Sequence, residues 1–165
     1  MQGLTPFLWF DDQAEEAANH YVSIFTEAGR TDSRIGDIMR YGPAASKAGG
    51  RPEGSVLTVE FRLDGQDFVA LNGGPVFHFT EAVSFQVSCE SQDEVDLFWK
   101  LLSDGGEEGP CGWLKDRYGL SWQITPTVLL EWQKDEDPEK AERVMAAMLE
   151  MGRIDIEGLR RAYDG

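Results

Sequence analysis

The chain has 165 residues, 41% hydrophobic and 11% aromatic, enough to bury a core without disulfides or structural metals. Thirty acidic residues stand against 15 basic ones; the resulting net charge of −15 repels phosphate backbones and anionic lipid, which speaks against nucleic-acid and membrane partners. No apolar run approaches the roughly 20 residues that span a bilayer.

Met1–Gln2–Gly3 leads straight into a strand-like segment rather than a basic, then apolar, export signal, so a cytoplasmic location is expected. Cys89 and Cys111 lack CxxC spacing and sit in segments that read as buried strands, which makes them reduced packing thiols. Leu4 to Phe10 is dense in apolar side chains, as a buried strand is, and Asp11–Asp12 offers capping oxygens for a helix. From Gln13 to Thr26, Ala14, Ala17, Ala18, Tyr21, Ile24 and Phe25 recur at helical spacing, with Glu15 and Glu16 in the first turn. Arg30 to Tyr41 reads as an irregular strand. Pro, Gly, Ala and Ser accumulate from Gly42 to Gly54, which predicts a long mobile loop.

Val59, Phe61 and Leu63 then alternate with Thr58, Glu60 and Arg62, the two-residue period of a strand with one buried and one polar face. Asp64–Gly65 turns the chain into a returning strand, Gln66 to Asn72, which Gly73–Gly74–Pro75 ends. This closes a first module over about residues 4–75. A second, over about 82–126, repeats the order. Val83, Phe85, Val87 and Cys89 alternate with polar residues, and Ser91 caps a helix carrying Val95, Phe98, Leu101 and Leu102. Gly112 to Lys115 and Leu120 to Thr125 flank the turn Asp116 to Gly119. Phe7 and Phe85 are 78 positions apart, and the same offset places Tyr21 on Trp99 and Glu16 on Glu94. Two β-α-β-β-β modules in a single α+β domain result.

After Pro126 the pattern changes. Asp137–Pro138 starts a helix with Ala141, Val144, Met145, Met148 and Leu149 on one stripe, and Asp155 caps a shorter one bearing Ile156, Leu159 and Tyr163. This helical extension, about 137–163, is expected to pack on its own domain or on a subunit partner.

The segments PFLWFDDQAEEAANHYVSIF, DGQDFVALNGGP and CGWLKDRYGLSWQITP, in this order, resemble PhnB-like proteins of the glyoxalase and vicinal oxygen chelate superfamily, whose members often carry the label of a 3-demethylubiquinone-9 3-methyltransferase. The resemblance runs from about Leu4 to Tyr163. No G-x-G-x-x-G loop follows a strand, so the residues themselves do not support a methyltransferase or dinucleotide fold. The resemblance implies two modules paired into a curved sheet around a cleft, with helices outside and a divalent metal inside in the enzymatic members. Strand alternation then places Ser84, Gln86 and Ser88 on the cleft, together with Pro6, Leu8 and Phe10 and with Thr58, Glu60 and Arg62.

The positions matching the superfamily's metal ligands read Pro6, Ser84, Val69 and Gln123. Only Gln123 among them is a plausible ligand, so neither a tightly bound metal nor another cofactor is expected. His20 on the first helix and His78 between the modules read as structural or solvent-facing. No Cys-His pair and no G-x-S-x-G elbow appears. Glu60 is a candidate base or the partner of Arg62 or Arg40; Asn72 a ligand contact or a turn stabiliser; Trp113 and Trp122 ring platforms or core. The expected ligand-binding set is Phe10, Thr58, Glu60, Asn72, Gln86, Trp113 and Gln123. The leading expectation is a homodimer that binds an unidentified small molecule without metal. The rivals are a metal-dependent lyase, isomerase or dioxygenase-like enzyme using Gln123, Glu60 and a shifted Asn72 or a partner-chain ligand around a divalent ion, and a protein-interaction module acting through the acidic face and terminal helices.

Overall fold

The apolar run Leu4 to Phe10 yields a strand over its second half only, β1 (Phe7–Phe10), because Leu4 is left 83% exposed outside the sheet. The computed structural model describes residues 3–165; Met1 and Gln2, on which the reading of the N-terminus partly rests, lie outside the described residues. The chain divides into two compact units, one ending at His78 and the other beginning at Phe79. No helix among the described residues is long and apolar enough to cross a membrane.

In the first unit β1 is followed by α1 (Ala14–Glu27), β2 (Arg34–Arg40), α2 (Pro43–Gly49), β3 (Val56–Leu63) and β4 (Gln66–Asn72). The sheet order is β1-β4-β3-β2, with β1 parallel to β4 and the other pairs antiparallel. The alternation in β3 is as expected: Val59, Phe61 and Leu63 are buried, and Tyr21 of α1 stacks on Phe61 with ring centroids 6.2 Å apart. Three alanines, Ala14, Ala17 and Ala18, bring α1 close to this face. Each large side chain so buried stabilises the unit by roughly 1.5–3 kcal/mol. The irregularity expected of Arg30 to Tyr41 is present in β2 as register shifts between Ile35 and Ile38 and at Met39–Arg40.

Two expectations for this unit fail. The α1 N-terminus takes no cap from Asp11 or Asp12; Gln13 is the N-cap residue without a side-chain bond, and the Asn72 Oδ1 at the end of β4 accepts the Ala14 N–H at 2.8 Å. The stretch from Gly42 to Gly54 is not an unstructured loop. Pro43 is pre-set for the first turn of a helix, and Gly50 ends it in the left-handed region at φ 67°. Its ends are tied by Tyr41 N to Ser55 O and Gly54 N to Tyr41 O, both 2.8 Å.

The second unit repeats the order with β5 (Ser84–Cys89), α3 (Gln92–Ser103), a two-residue strand β6 (Glu107–Glu108) that the sequence reading lacks, β7 (Trp113–Lys115) and β8 (Ser121–Pro126). Its sheet order is β5-β8-β7-β6, again with a parallel first pair. Ser91 caps α3, accepting from Glu94 N at 3.3 Å. Trp122 is buried, and its indole N–H donates to Asp116 at 2.8 Å; the same carboxylate accepts from Tyr118 N and Leu120 N in the β7–β8 turn. Cys89 is buried in β5, but Cys111 is not in a strand: it lies in the β6–β7 loop with φ 58°, followed by Gly112 at φ 82°.

Helices α4 (Thr127–Trp132), α5 (Pro138–Leu149) and α6 (Ile156–Asp164) complete this unit. Asp137 and Asp155 cap α5 and α6 as expected, accepting from Glu139 N and Glu157 N; α4 is unanticipated. Leu129, Val144, Ile154 and Leu159 form their shared core, flanked by the stacked rings of Trp132 and Tyr163. Met145 and Leu149, read as part of the buried stripe, are instead 36% and 58% exposed. The helices pack on their own chain. Met151 O and Gly152 O accept from Cys111 N and Gly112 N, each at 2.7 Å. The Gln92 side chain bridges to Ile154 O and Ile156 N at 3.0 and 2.8 Å.

Candidate functional site

Each sheet has one face under its helix and one face turned away from it, and cross-strand partners share a face. In the first unit Leu8 pairs with Ala70 and Phe10 with Asn72, on the buried side with Val59 and Phe61. Phe10 and Asn72 therefore do not join Thr58 and Glu60, contrary to the expected site map; Phe7 and Trp9 do. The offset that matches Phe7 to Phe85 is one residue out, since Phe85, Val87 and Cys89 of β5 share the helix face with Trp122 and Ile124. A shift of one inverts a strand's faces. Leu8 and Phe10 are the counterparts of Val87 and Cys89.

Asn72 is 5% exposed and its polar atoms are engaged: Oδ1 caps α1, Nδ2 donates to Val56 O at 3.2 Å, and its carbonyl accepts from Tyr41 Oη at 2.6 Å. Glu60 is exposed, opposite Gly36, where a Cβ would come within 3.1 Å of the Glu60 Cβ. Among the described residues, neither arginine expected to pair with it bonds to it. Arg62 grips Asp67 through two bonds and reaches Asp32 at 3.5 Å, and Arg40 donates to Gly54 O. The hydrogen bond from Arg62 holds the Asp67 carboxyl below the usual carboxylate range, and Asp67 raises Arg62 in return. Glu60, Gly36, Arg62 and Asp67 line a cavity of about 480 Å³ on the unit's open face, with Phe7, Arg34 and Val69.

On the second unit's open face Gln86, Gln123 and Trp113 form one rung across β5, β8 and β7. Three expected site residues are thus brought together. Gln123 Nε2 donates to Ser84 Oγ at 2.8 Å, and Gln86 Nε2 lies 3.5 Å from Ser88 Oγ. The next rung holds Ser84, Ser121 and Lys115. Beside it a cavity of about 430 Å³ is walled by Trp113, Leu114, Pro110 and Cys111, with Lys115, Glu81, Glu107 and Glu108 around it. Lys115 Nζ meets Glu81 at 2.5 Å; that hydrogen bond holds Glu81 below and Lys115 above their ordinary values.

Ser121 also lines this cavity. It is 1% exposed, and its Oγ has no hydrogen-bond partner among the described residues. Sequence reasoning passed over Ser121, although its alternation with Trp122 and Ile124 assigns it to the polar face with Gln123. Glu81 comes from the segment before β5 and carries no local signal. Trp122 is core, His20 is half-buried on α1 and His78 is exposed.

The equivalence of Val69 and Gln123 stands, for each occupies the middle of its rung. The matching first-strand positions on those rungs are Phe7 and Gln86 rather than Pro6 and Ser84. One rung offers a phenyl, an isopropyl and a carboxylate, the other two amides and an indole. Neither donor set fits a tightly held zinc, nickel or iron ion. No group of three His, Cys, Asp or Glu side chains among the described residues is placed to hold one.

Residues 2–125 match the model of the 3-demethylubiquinone-9 3-methyltransferase family. The chain belongs to this family. The PhnB protein of Bacillus cereus is 36% identical over 76% of this chain and 100% of its own, with a TM-score of 0.63. A Pseudomonas aeruginosa protein superposes with a TM-score of 0.59 at 15% identity, covering 76% of this chain and 98% of its own. The genomically encoded fosfomycin resistance protein FosX of Listeria monocytogenes does so at 0.50 and 15%, covering 79% and 98%; these last two show the fold alone. It is the α+β fold of the glyoxalase and vicinal oxygen chelate superfamily. No curated protein matches. The family model stops at residue 125, so the terminal helices, counted within the resemblance, lie outside the family's own extent.

Proposed function

We propose that this family member binds a small organic molecule on its open sheet faces, without a tightly held metal, and works as a cytoplasmic homodimer. The observation that carries the reading is the Ser121 hydroxyl, buried and unpartnered beside an apolar cavity. A buried polar group without a partner costs about 1–3 kcal/mol, a cost that a ligand's hydrogen bond offsets. Trp113 provides a flat apolar platform, and Gln123, Gln86 and Ser84 provide directional hydrogen bonds along the same face, the mixture that small-molecule sites use. Dimer formation is supported by β2, which ends its sheet with Ile38 and Met39 exposed.

Chelator-treated protein screened against metabolites by thermal shift tests this. At ligand concentrations about a hundred times Kd, a true ligand adds about 2.7 kcal/mol and raises Tm by ~5 °C or more. The shift should be unchanged by added divalent metal and lost in Ser121→Val, and the particle mass should be twice the 18.4 kDa of the chain. Shifts that require a stoichiometric metal would transfer the reading to a metal-dependent enzyme.

A further inference from the structure

The charges around the second unit's cavity are unbalanced, and the imbalance defines the ligand. Among the described residues its one cation, Lys115, is already matched by Glu81 at 2.5 Å, with Glu107 acting on it more weakly. That leaves Glu107, which faces Lys115 across the β6–β7 pair, and its neighbour Glu108. Both are exposed, and neither is within ion-pair distance of a cation among the described residues. An anionic ligand would have to displace Glu81 from Lys115 and then lie beside Glu107. A neutral ligand would leave the two carboxylates solvated and gain nothing from them.

We propose that the cavity takes an organic cation, a protonated amine on a flat or apolar body, with the Ser121 hydroxyl as its buried hydrogen-bond partner. The proposal rests on the small-molecule reading above and assigns its chemical class. The body lies on the indole of Trp113 and against Pro110, and the ammonium sits at the carboxylate end, where a charge-assisted hydrogen bond and the ring face both favour it. The net charge of −15 raises the local concentration of cations around the whole molecule, so the test must separate this site from that background.

Three isosteric probes suffice: 2-naphthylmethylammonium, 2-naphthylmethanol and 2-naphthoate, titrated calorimetrically at physiological salt, with the Trp113 indole N–H followed by NMR. The ammonium should bind about ten-fold or more tighter than the alcohol and shift the Trp113 resonance. The paired substitution Glu107→Gln/Glu108→Gln should abolish that preference. Glu139→Gln/Glu142→Gln, the same charge change on α5, should leave it intact. Equal or tighter binding of the alcohol or the naphthoate at Trp113 would overturn the cation assignment and leave the small-molecule reading standing. So would loss of the preference in the α5 pair as well, which would make it a property of the whole molecule's charge. If none of the three perturbs Trp113, the cavity is not a site for such ligands and the reading it rests on falls with it.

Discussion

Asn72 does for α1 what a local residue does for most helices: it accepts the first N–H of the helix, from a position 58 residues away. Its side chain also holds Val56 O, and its main-chain carbonyl accepts from Tyr41, so one residue fastens helix, strand and the α2 segment together. Asn72→Ala should cost about 2 kcal/mol, a lost cap plus a lost buried hydrogen bond, read as a lower urea midpoint at unchanged slope. Aspartate at this position should retain the cap and recover part of the loss. Asp67 gives the pH counterpart. Its folded pKa is depressed by the bond from Arg62, so the stability it contributes is present above the ordinary carboxylate value of 3.8 and disappears as pH falls through the lower folded value. Asp67→Asn should flatten that part of the acid limb of the stability curve, and an unchanged limb would remove Asp67 as a contributor. Neither role was legible in the sequence. Turn-forming asparagines before double glycines are common, and nothing local says that the helix end will arrive beside one. Phe10 was misplaced for a different reason: counting by twos gives the two faces of a strand but not which face is inward, and Phe7 and Phe10 are both aromatic.

Elements whose end signals and apolar periodicity agree were readable. The helices α3, α5 and α6, the alternation in β3 and β5 and the tight turn at Asp64–Gly65 are all present, and α1 is present on its apolar spacing alone, without the expected cap. Those without such agreement were not. The α2 helix is composed of small residues and buries none of them, so no stripe announces it; β6 has two residues, below any period; α4 follows Pro126 with no side-chain cap. The junction between the family fold and the terminal helices combines main-chain bonds with side-chain ones, among them Arg153 to Asp96 and Thr127 to the Cys89 carbonyl and Glu90. Cys111 and Gly112, both left-handed, aim their N–H groups at Met151 O and Gly152 O, and the loop they form is the wall of the cavity beside Trp113. Gln92 fixes both sides of residue 155, and it is an element of the family fold gripping the extension. Gln92→Ala should therefore speed amide exchange at Cys111 and Gly112 by about ten-fold, the consequence of losing roughly 1–1.5 kcal/mol of hydrogen bonding. Exchange that stays as slow as in the parent would show the helices docked by their apolar core alone.

At the scale of the whole molecule charge dominates. A net −15 with a pI near 4.4 stores self-repulsion in the folded state. Raising ionic strength from ~0.01 to ~0.15 M shortens the Debye length from about 30 to 8 Å, so Tm at neutral pH should rise with added salt before any salting-out effect. A fall over this range would mean that ion pairs such as Arg62–Asp67 and Arg30–Asp64 outweigh the repulsion. Composition made this property plain, whereas it could not tell that the carboxylates around the second cavity exceed its cation. That surplus depends on Glu81 returning from outside the strands to neutralise Lys115.

The main-chain pairing of Cys111–Gly112 with Met151–Gly152 makes the helical extension a portable part. Carbonyls and amides carry one part of the join, and the host supplies the rest through Gln92, through Asp96 to Arg153 and through Glu90 to Thr127. A recipient from the same family needs a glycine at the position of Gly112, where a Cβ would come within 2.8 Å of Ile124 O, and counterparts of Gln92, Asp96 and Glu90 on and before its second helix. Residues 126–165 grafted onto such a host should dock as they do here, giving the recipient a stiffened wall beside its second sheet without altering either module.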